Sequence, residues 1–361
     1  MSSHSIAETQ SYNIGSCGGS GCETKFNPDF SVTMPGVCLC WCEYAKKPKQ
    51  TNSLINGGPE AFLSVLSSVK RFQISLRTGG VLDVGVSGPK NATPLVFHHG
   101  TPGSLILFEP FIEAVVARGL RYVSYSRPGY GSSTRQKDRT VADCAKDTKS
   151  ILDEIGANRS FIIGWSGGGP HALACAALLP SRVMATSTIA GIAPYDSPSL
   201  DWLAGMGNEN IEELTAALGG PDKLRPFLER IAPGFAQVTG NQIIAAFGDL
   251  VSDVDKAALT GEFGAFLAEN FREGLRNGFW GWFDDDIAFT RDWEFDLSQI
   301  KVPVKVWQGA QDRMVPFAHG RWLAKHVSCA RAHLLPEHGH LSLAIGSFDK
   351  ILDDLIENGK Q

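Results

Sequence analysis

The stretch SFIIGWSGGGPHALACAALLP, residues 160–180, decides how the chain is read. Its first six residues form a short apolar run of strand length, and the residues from Gly168 onward are rich in alanine and leucine at helical length. Between them, Gly164-Trp165-Ser166-Gly167-Gly168 fits the pattern G-x-S-x-G. A serine lifted above a sheet on a tight strand-to-helix turn needs small neighbours, because the backbone passes closely beside itself. The following helix aims its first N–H groups at the place where negative charge would develop. A glycine-rich turn can also do no more than pack a helix on a sheet, so the motif takes its meaning from its setting.

Outward from this stretch the pattern alternates. RFQISL and VLDVGVSG flank Thr78-Gly79-Gly80 and read as a hairpin. PLVFHHG is a buried strand, FEPFIEAVVARG a helix stopped at Gly119, and LRYVSYS a strand. VADCAKDTKSILDEIG is an amphipathic helix and RVMATSTIAG a strand. Strands separated by helices imply an α/β fold, a doubly wound and mostly parallel sheet with helices on both faces. From about residue 194 to 295 the helical segments IEELTAALG, DKLRPFLERIA, NQIIAAFGDLV and KAALTGEFGAFLAENFREGLR follow one another with no convincing strand. The rhythm returns with VPVKVWQGA, PFAHGRWLAKHV, ARAHLLPEHGH and a last helix, SFDKILDDLIENG. The expected organisation is a core of residues 61–193 and 296–361, interrupted by a helical cap at 194–295 and preceded by a poorly ordered leader at 1–60.

Composition narrows the function classes. Of 361 residues, 43% are hydrophobic and 20% charged, with a formal net charge of -5, so there is no basic footprint for nucleic acid. No run approaches the roughly 18 apolar residues that span a bilayer, and the first residues lack the pattern of a secretory signal. A cytoplasmic location is the expectation. Five of the eight cysteines, Cys17, Cys22, Cys38, Cys40 and Cys42, fall in the leader. Their spacing is not that of a zinc site, and a disulfide framework is not expected in a chain of this kind. No metal and no cofactor are expected; the oligomeric state is not legible.

A serine hydroxyl is a weak nucleophile until a base takes its proton. For a nucleophile on such a turn the partners follow in the order Ser, Asp or Glu, His. His340, in Glu337-His338-Gly339-His340, lies just beyond the ARAHLLP strand and is the candidate base, with His338 the alternative. Asp312 follows the VPVKVWQ strand and is the candidate to orient the histidine, with Asp196 next in line. Two oxyanion donors are expected: the N–H of Gly167, directly after the nucleophile, and that of Thr101 in His99-Gly100-Thr101-Pro102-Gly103, since Pro102 has none.

Taken together, HHGTPG at 98–103, SRPGYGSS at 126–133, GWSGGGPHAL at 164–173, GAQD at 309–312 and HGH at 338–340 resemble the α/β-hydrolase superfamily over residues 70–355. The resemblance implies no cofactor and places a cap where the 194–295 insertion falls. Ser126 stands where the superfamily element D-R-x-G-x-G-x-S begins with Asp, a departure read as structural, with a looser loop beside the oxyanion donors as the alternative. Epoxide hydrolases and haloalkane dehalogenases share the H-G-x-P loop but attack with Asp, which Ser166 disfavours.

The expected activity is hydrolysis of a small carboxylic ester through an acyl-enzyme, on a small-molecule substrate. Alternatives are a C–C bond hydrolase, a cofactor-free haloperoxidase or perhydrolase, and a proline-iminopeptidase-like aminopeptidase, whose relatives carry an acidic pair in the cap for the substrate amine. Asp284-Asp285-Asp286 is read as a solvated loop or helix cap rather than that pair. Trp202, Trp280, Trp282 and Trp293 are candidates to line a pocket or to pack the cap on the core. A non-catalytic ligand receptor on the same scaffold is the reading from another class.

Overall fold

The computed structural model describes residues 69–359 apart from 78 and 260, so the leader and its cysteines lie outside the described residues. In chain order the elements are β1 (Lys70–Ser75), β2 (Val81–Ser87), β3 (Pro94–His98), α1 (Glu109–Ala117), β4 (Arg121–Tyr125), α2 (Asp143–Glu154), β5 (Ser160–Trp165), α3 (Gly168–Leu178) and β6 (Val183–Ile189). Then come α4 (Asn208–Leu218), α5 (Pro221–Gln237), α6 (Ile243–Phe247), α7 (Asp253–Ala258), α8 (Gly261–Gly274) and α9 (Trp280–Phe289). The chain ends with β7 (Val304–Gly309), α10 (Phe317–His326), β8 (Ala330–Leu335) and α11 (Leu341–Asn358).

The strands form one eight-stranded sheet in the order β1-β2-β4-β3-β5-β6-β7-β8. β1 pairs with β2 and β2 with β4 antiparallel; every later pairing is parallel. Both faces are covered, and the strand period of two sorts the side chains between them. Val96 and Ile162 join one apolar cluster, with Leu173 of α3 and Leu323 of α10. Their neighbours Leu95, Phe97, Phe161 and Ile163 join the other, with Ile112 of α1 and Ile351 of α11. This is the expected doubly wound sheet. The chain adds β4 on one side of β3 and β5 on the other, and the crevice outside the carboxyl ends of strands at such a switch point is where α/β sheets bind ligands.

Two local expectations change. Helix α9 has no polar stripe because nine of its residues, Gly281 to Phe289, are buried, so periodicity hides it. Asp284, Asp285 and Asp286 lie in it and are 4%, 0% and 1% exposed, not a solvated loop. The last helix begins at Leu341, well before SFDKILDD, and its first turn directly follows His340.

Candidate active site

Ser166 sits between β5 and α3 with φ 56, in the left-handed region that β-carbon-bearing residues rarely occupy. Its N–H bonds Ile189 O at 2.8 Å and its carbonyl accepts from Gly169 N at 2.8 Å, which holds the turn. The turn depends on glycine: a β-carbon on Gly164 would lie 2.1 Å from Gly168 O, and one on Gly168 would lie 2.2 Å from His98 O. Side chains there would push β5, α3 and the β3 loop apart.

His340 and Asp312 meet at the ends of β8 and β7. His340 Nδ1 is 2.8 Å from Asp312 Oδ2, and both side chains are buried. Asp312 also accepts from Met314 N at 2.9 Å, Val315 N at 2.8 Å and Gln308 Nε2 at 2.9 Å. Burial pulls the His340 imidazole down, but the charge and hydrogen bond of Asp312, with the charge of Asp255 behind them, carry it above the ordinary histidine value. Of the alternatives, Asp196 is exposed, and the ring that bonds Asp312 is that of His340, not His338. Ser166 and His340 line one cavity, and no hydrogen bond joins their side chains; such contacts often tighten only when substrate binds.

The loop after β3 brings Thr101 against the elbow: a β-carbon on Gly167 would lie 2.4 Å from Thr101 Oγ1. Neither the Thr101 nor the Gly167 N–H has an acceptor among the described residues. What holds this loop was not legible in the sequence. Asp285 of α9 accepts from Thr101 Oγ1 at 2.7 Å, Arg127 Nη2 at 2.6 Å and Tyr130 Oη at 2.9 Å, and pairs with Arg139 at 2.7 Å. Arg127 in turn donates to His99 O at 2.5 Å and Gly100 O at 3.0 Å. Burial works against the Asp285 charge, yet Arg127 and Arg139 hold its carboxyl well below the usual range. Burial and the Arg127 charge pull the imidazoles of His99 and His171 well below the ordinary histidine value. Ser126 does not loosen the region: its Oγ accepts from Leu105 N at 3.1 Å and its carbonyl from Ser133 Oγ at 2.6 Å.

The cavity has a volume of about 120 Å³. Phe235, Phe247, Leu267, Phe271, Trp282 and Phe289, all from the helical insert, give it an apolar wall. Of the four tryptophans, Trp282 lines it, while Trp202 and Trp293 pack in the core and Trp280 stacks under the Arg135 guanidinium at 3.9 Å. Two acidic side chains interrupt the wall, Glu213 of α4 and Asp286 of α9. Each carboxyl acts on the charge of the other, and Trp282 Nε1 donates to Glu213 Oε1 at 2.7 Å. Burial pushes Glu213 up to about 7; burial and the neighbouring charges of Glu213 and Asp285 push Asp286 well above the carboxylate range. Among the described residues no group of three or more His, Cys, Asp or Glu side chains is arranged to hold a metal ion.

A sheet of this order, with an apolar cavity at the strands' carboxyl ends, is the arrangement of the α/β-hydrolase fold. The chain belongs to the α/β-hydrolase fold family, whose sequence model matches residues 93–346. It is 24% identical over 266 residues to the uncharacterized hydrolase YcgS of Bacillus subtilis (strain 168), covering 73% of this chain and 89% of that one. It is 25% identical over 240 residues to the bifunctional esterase/perhydrolase DCH of Acinetobacter calcoaceticus, covering 64% and 78%. Among solved structures, a bromoperoxidase from Bacillus anthracis shares the fold with a TM-score of 0.59 at 20% identity, over 80% of this chain and 100% of that chain. No helix among the described residues is long and apolar enough to cross a membrane.

Proposed function

We propose that the protein is a serine hydrolase that cleaves a small carboxylic ester, or a related acyl bond, through an acyl-enzyme. Ser166 Oγ attacks the carbonyl carbon as His340 Nε2 takes its proton, and Asp312 holds the tautomer and offsets the imidazolium charge. The Thr101 and Gly167 N–H groups receive the oxyanion. The tetrahedral adduct collapses, the leaving alcohol takes the proton from His340, and the acyl group stays on Ser166. A water that His340 deprotonates then attacks the acyl-enzyme; the acid departs and Ser166 regains its proton. Residues 194–295 act as the cap that closes the apolar side of the cavity.

One observation carries this reading: a serine at φ 56 and a histidine bonded at 2.8 Å to a buried aspartate open on the same cavity. Labelling with a fluorophosphonate probe, with Ser166→Ala as control, and turnover of p-nitrophenyl acetate test it. Labelling lost in the variant, with repeated turnover in the parent, is the expected result. An unlabelled parent with no turnover would move the receptor reading ahead.

The Glu213–Asp286 pair favours a second reading, an aminopeptidase-like hydrolase whose substrate carries a protonated amine beside the scissile acyl group. A cavity otherwise lined by aromatic and aliphatic side chains retains two buried carboxyls only at a cost in desolvation, and an ammonium ion would offset it. Comparison of an α-aminoacyl p-nitroanilide with its N-acetyl analogue separates the two.

A further inference from the structure

The helix that follows His340 carries no cap of its own. His340 occupies the capping position in a helical conformation, and no side chain caps the helix from within the loop. The carboxylate arrives instead from α7, in the insert. Asp255 Oδ2 accepts from His340 N–H at 2.9 Å, while Oδ1 accepts from Leu341 N at 2.9 Å and Ser342 N at 2.8 Å. Ser252 Oγ steadies the same carboxylate at 3.1 Å, and Asp255 is 0% exposed. Gly339 N, the remaining donor of the turn, bonds Ser342 Oγ at 2.8 Å. Three N–H groups at this helix start are therefore met by one distant side chain, whose negative charge also suits that end of the helix dipole.

Gly339 follows from the same contact. A β-carbon there would lie 2.3 Å from Asp255 Oδ2, and Gly339 is not among the glycines with positive φ. The glycine is required by the carboxylate beside it, not by a left-handed turn.

We infer that Asp255 is a positioning residue for His340, the insert's clamp on the backbone of the base. With it, the histidine is held at two points supplied by different parts of the chain: its N–H by Asp255 and its Nδ1 by Asp312. A side chain fixed at one end only can swing; fixed at both, the ring has one place to stand, with Nε2 left for chemistry. Loss of Asp255 would strand the buried donors and let the start of α11 shift, and misplacement of a reacting group by about 1 Å costs on the order of 10²-fold in rate. The inference rests on the reading of His340 as the base. It extends that reading by making residues of the insert part of the catalytic geometry, beyond the wall of the cavity.

The test uses the full chain with Asp255→Asn, and Asp253→Asn as control, since Asp253 lies on the same helix with a side chain 97% exposed. For p-nitrophenyl acetate, Asp255→Asn is expected to lower kcat on the order of 10²-fold with KM little changed, because Asp255 does not line the cavity. The low-field proton NMR signal of the His340–Asp312 hydrogen bond, assigned by its loss in His340→Gln, is expected to broaden or vanish in Asp255→Asn and to persist in Asp253→Asn. Parental kcat and an unchanged signal in Asp255→Asn would overturn the inference. Should that variant not fold, Gly339→Ala displaces the carboxylate with a methyl group and is expected to reproduce both losses; parental values there would overturn it equally. The NMR signal needs no turnover, so failure of the clamp and failure of the serine-hydrolase reading are seen separately.

Discussion

Thr101 donates its hydroxyl to Asp285 Oδ2 at 2.7 Å, and through that bond the loop beside Ser166 hangs on a buried ion pair contributed by α9. Arg127 and Arg139 both bond this one carboxylate, and Arg127 also holds the carbonyls of His99 and Gly100. Asp285→Asn would leave two buried guanidinium groups without their counter-ion. Breaking a buried pair in this way costs about 3–5 kcal/mol. Urea unfolding followed by tryptophan fluorescence should register a loss of that size; a variant as stable as the parent would show that solvent reaches Arg127 and Arg139.

Removal of the proposed nucleophile separates chemistry from folding. Ser166→Ala is expected to abolish ester turnover, by on the order of 10⁶-fold, with an unchanged unfolding midpoint. Asp312→Asn keeps the size of the side chain but allows the wrong histidine tautomer, and should lower kcat by on the order of 10⁴-fold. Steady-state kinetics on p-nitrophenyl acetate measures both. An unaltered rate in Asp312→Asn would assign the orienting role to another carboxylate.

The pH profile has a definite sign. A general base works unprotonated, and His340 is held above the ordinary value of 6.5 because the charges of Asp312 and Asp255 outweigh its burial. As pH falls through this raised value His340 gains a proton and the rate is lost, so the acid limb of kcat/KM should lie above pH 6.5. In Asp312→Asn burial acts with less opposition, and the limb should move to lower pH while the maximum falls. A limb that stays in place would assign it to another group.

Burial raises both Glu213 and Asp286 above the usual carboxylate range, and the charge of Glu213 raises Asp286 further. Ionisation of Glu213 near pH 7 makes the pair a better partner for a cation, so KM for an α-aminoacyl p-nitroanilide should fall as pH rises through about 7. A hydrogen bond to a charged group contributes about 1.5–3 kcal/mol, which is roughly tenfold to a hundredfold in affinity. Glu213→Gln should remove that preference over the N-acetyl analogue. Equal turnover of the two substrates by the parent would leave the simple ester reading alone.

Chain order and local pattern were enough to determine the alternating elements, the turn bearing Ser166, and the positions of Asp312 and His340 after their strands. Each of these rests on short-range physics: strand and helix periods, glycines where backbones nearly touch, and loops that must leave a parallel sheet at its carboxyl edge. The partners that steady the site could not be read that way. Asp285 beside Thr101, Glu213 beside Asp286 and Asp255 beneath His340 are contacts between residues 184, 73 and 85 positions apart, and the helix carrying two of them shows no period because it is buried all round. An aspartate in a run of three reads as solvated until the fold surrounds it with arginines. Only packing the insert against the sheet turned these acids from surface residues into the supports of the cavity, because a buried charge takes its meaning from the neighbours that tertiary structure brings to it.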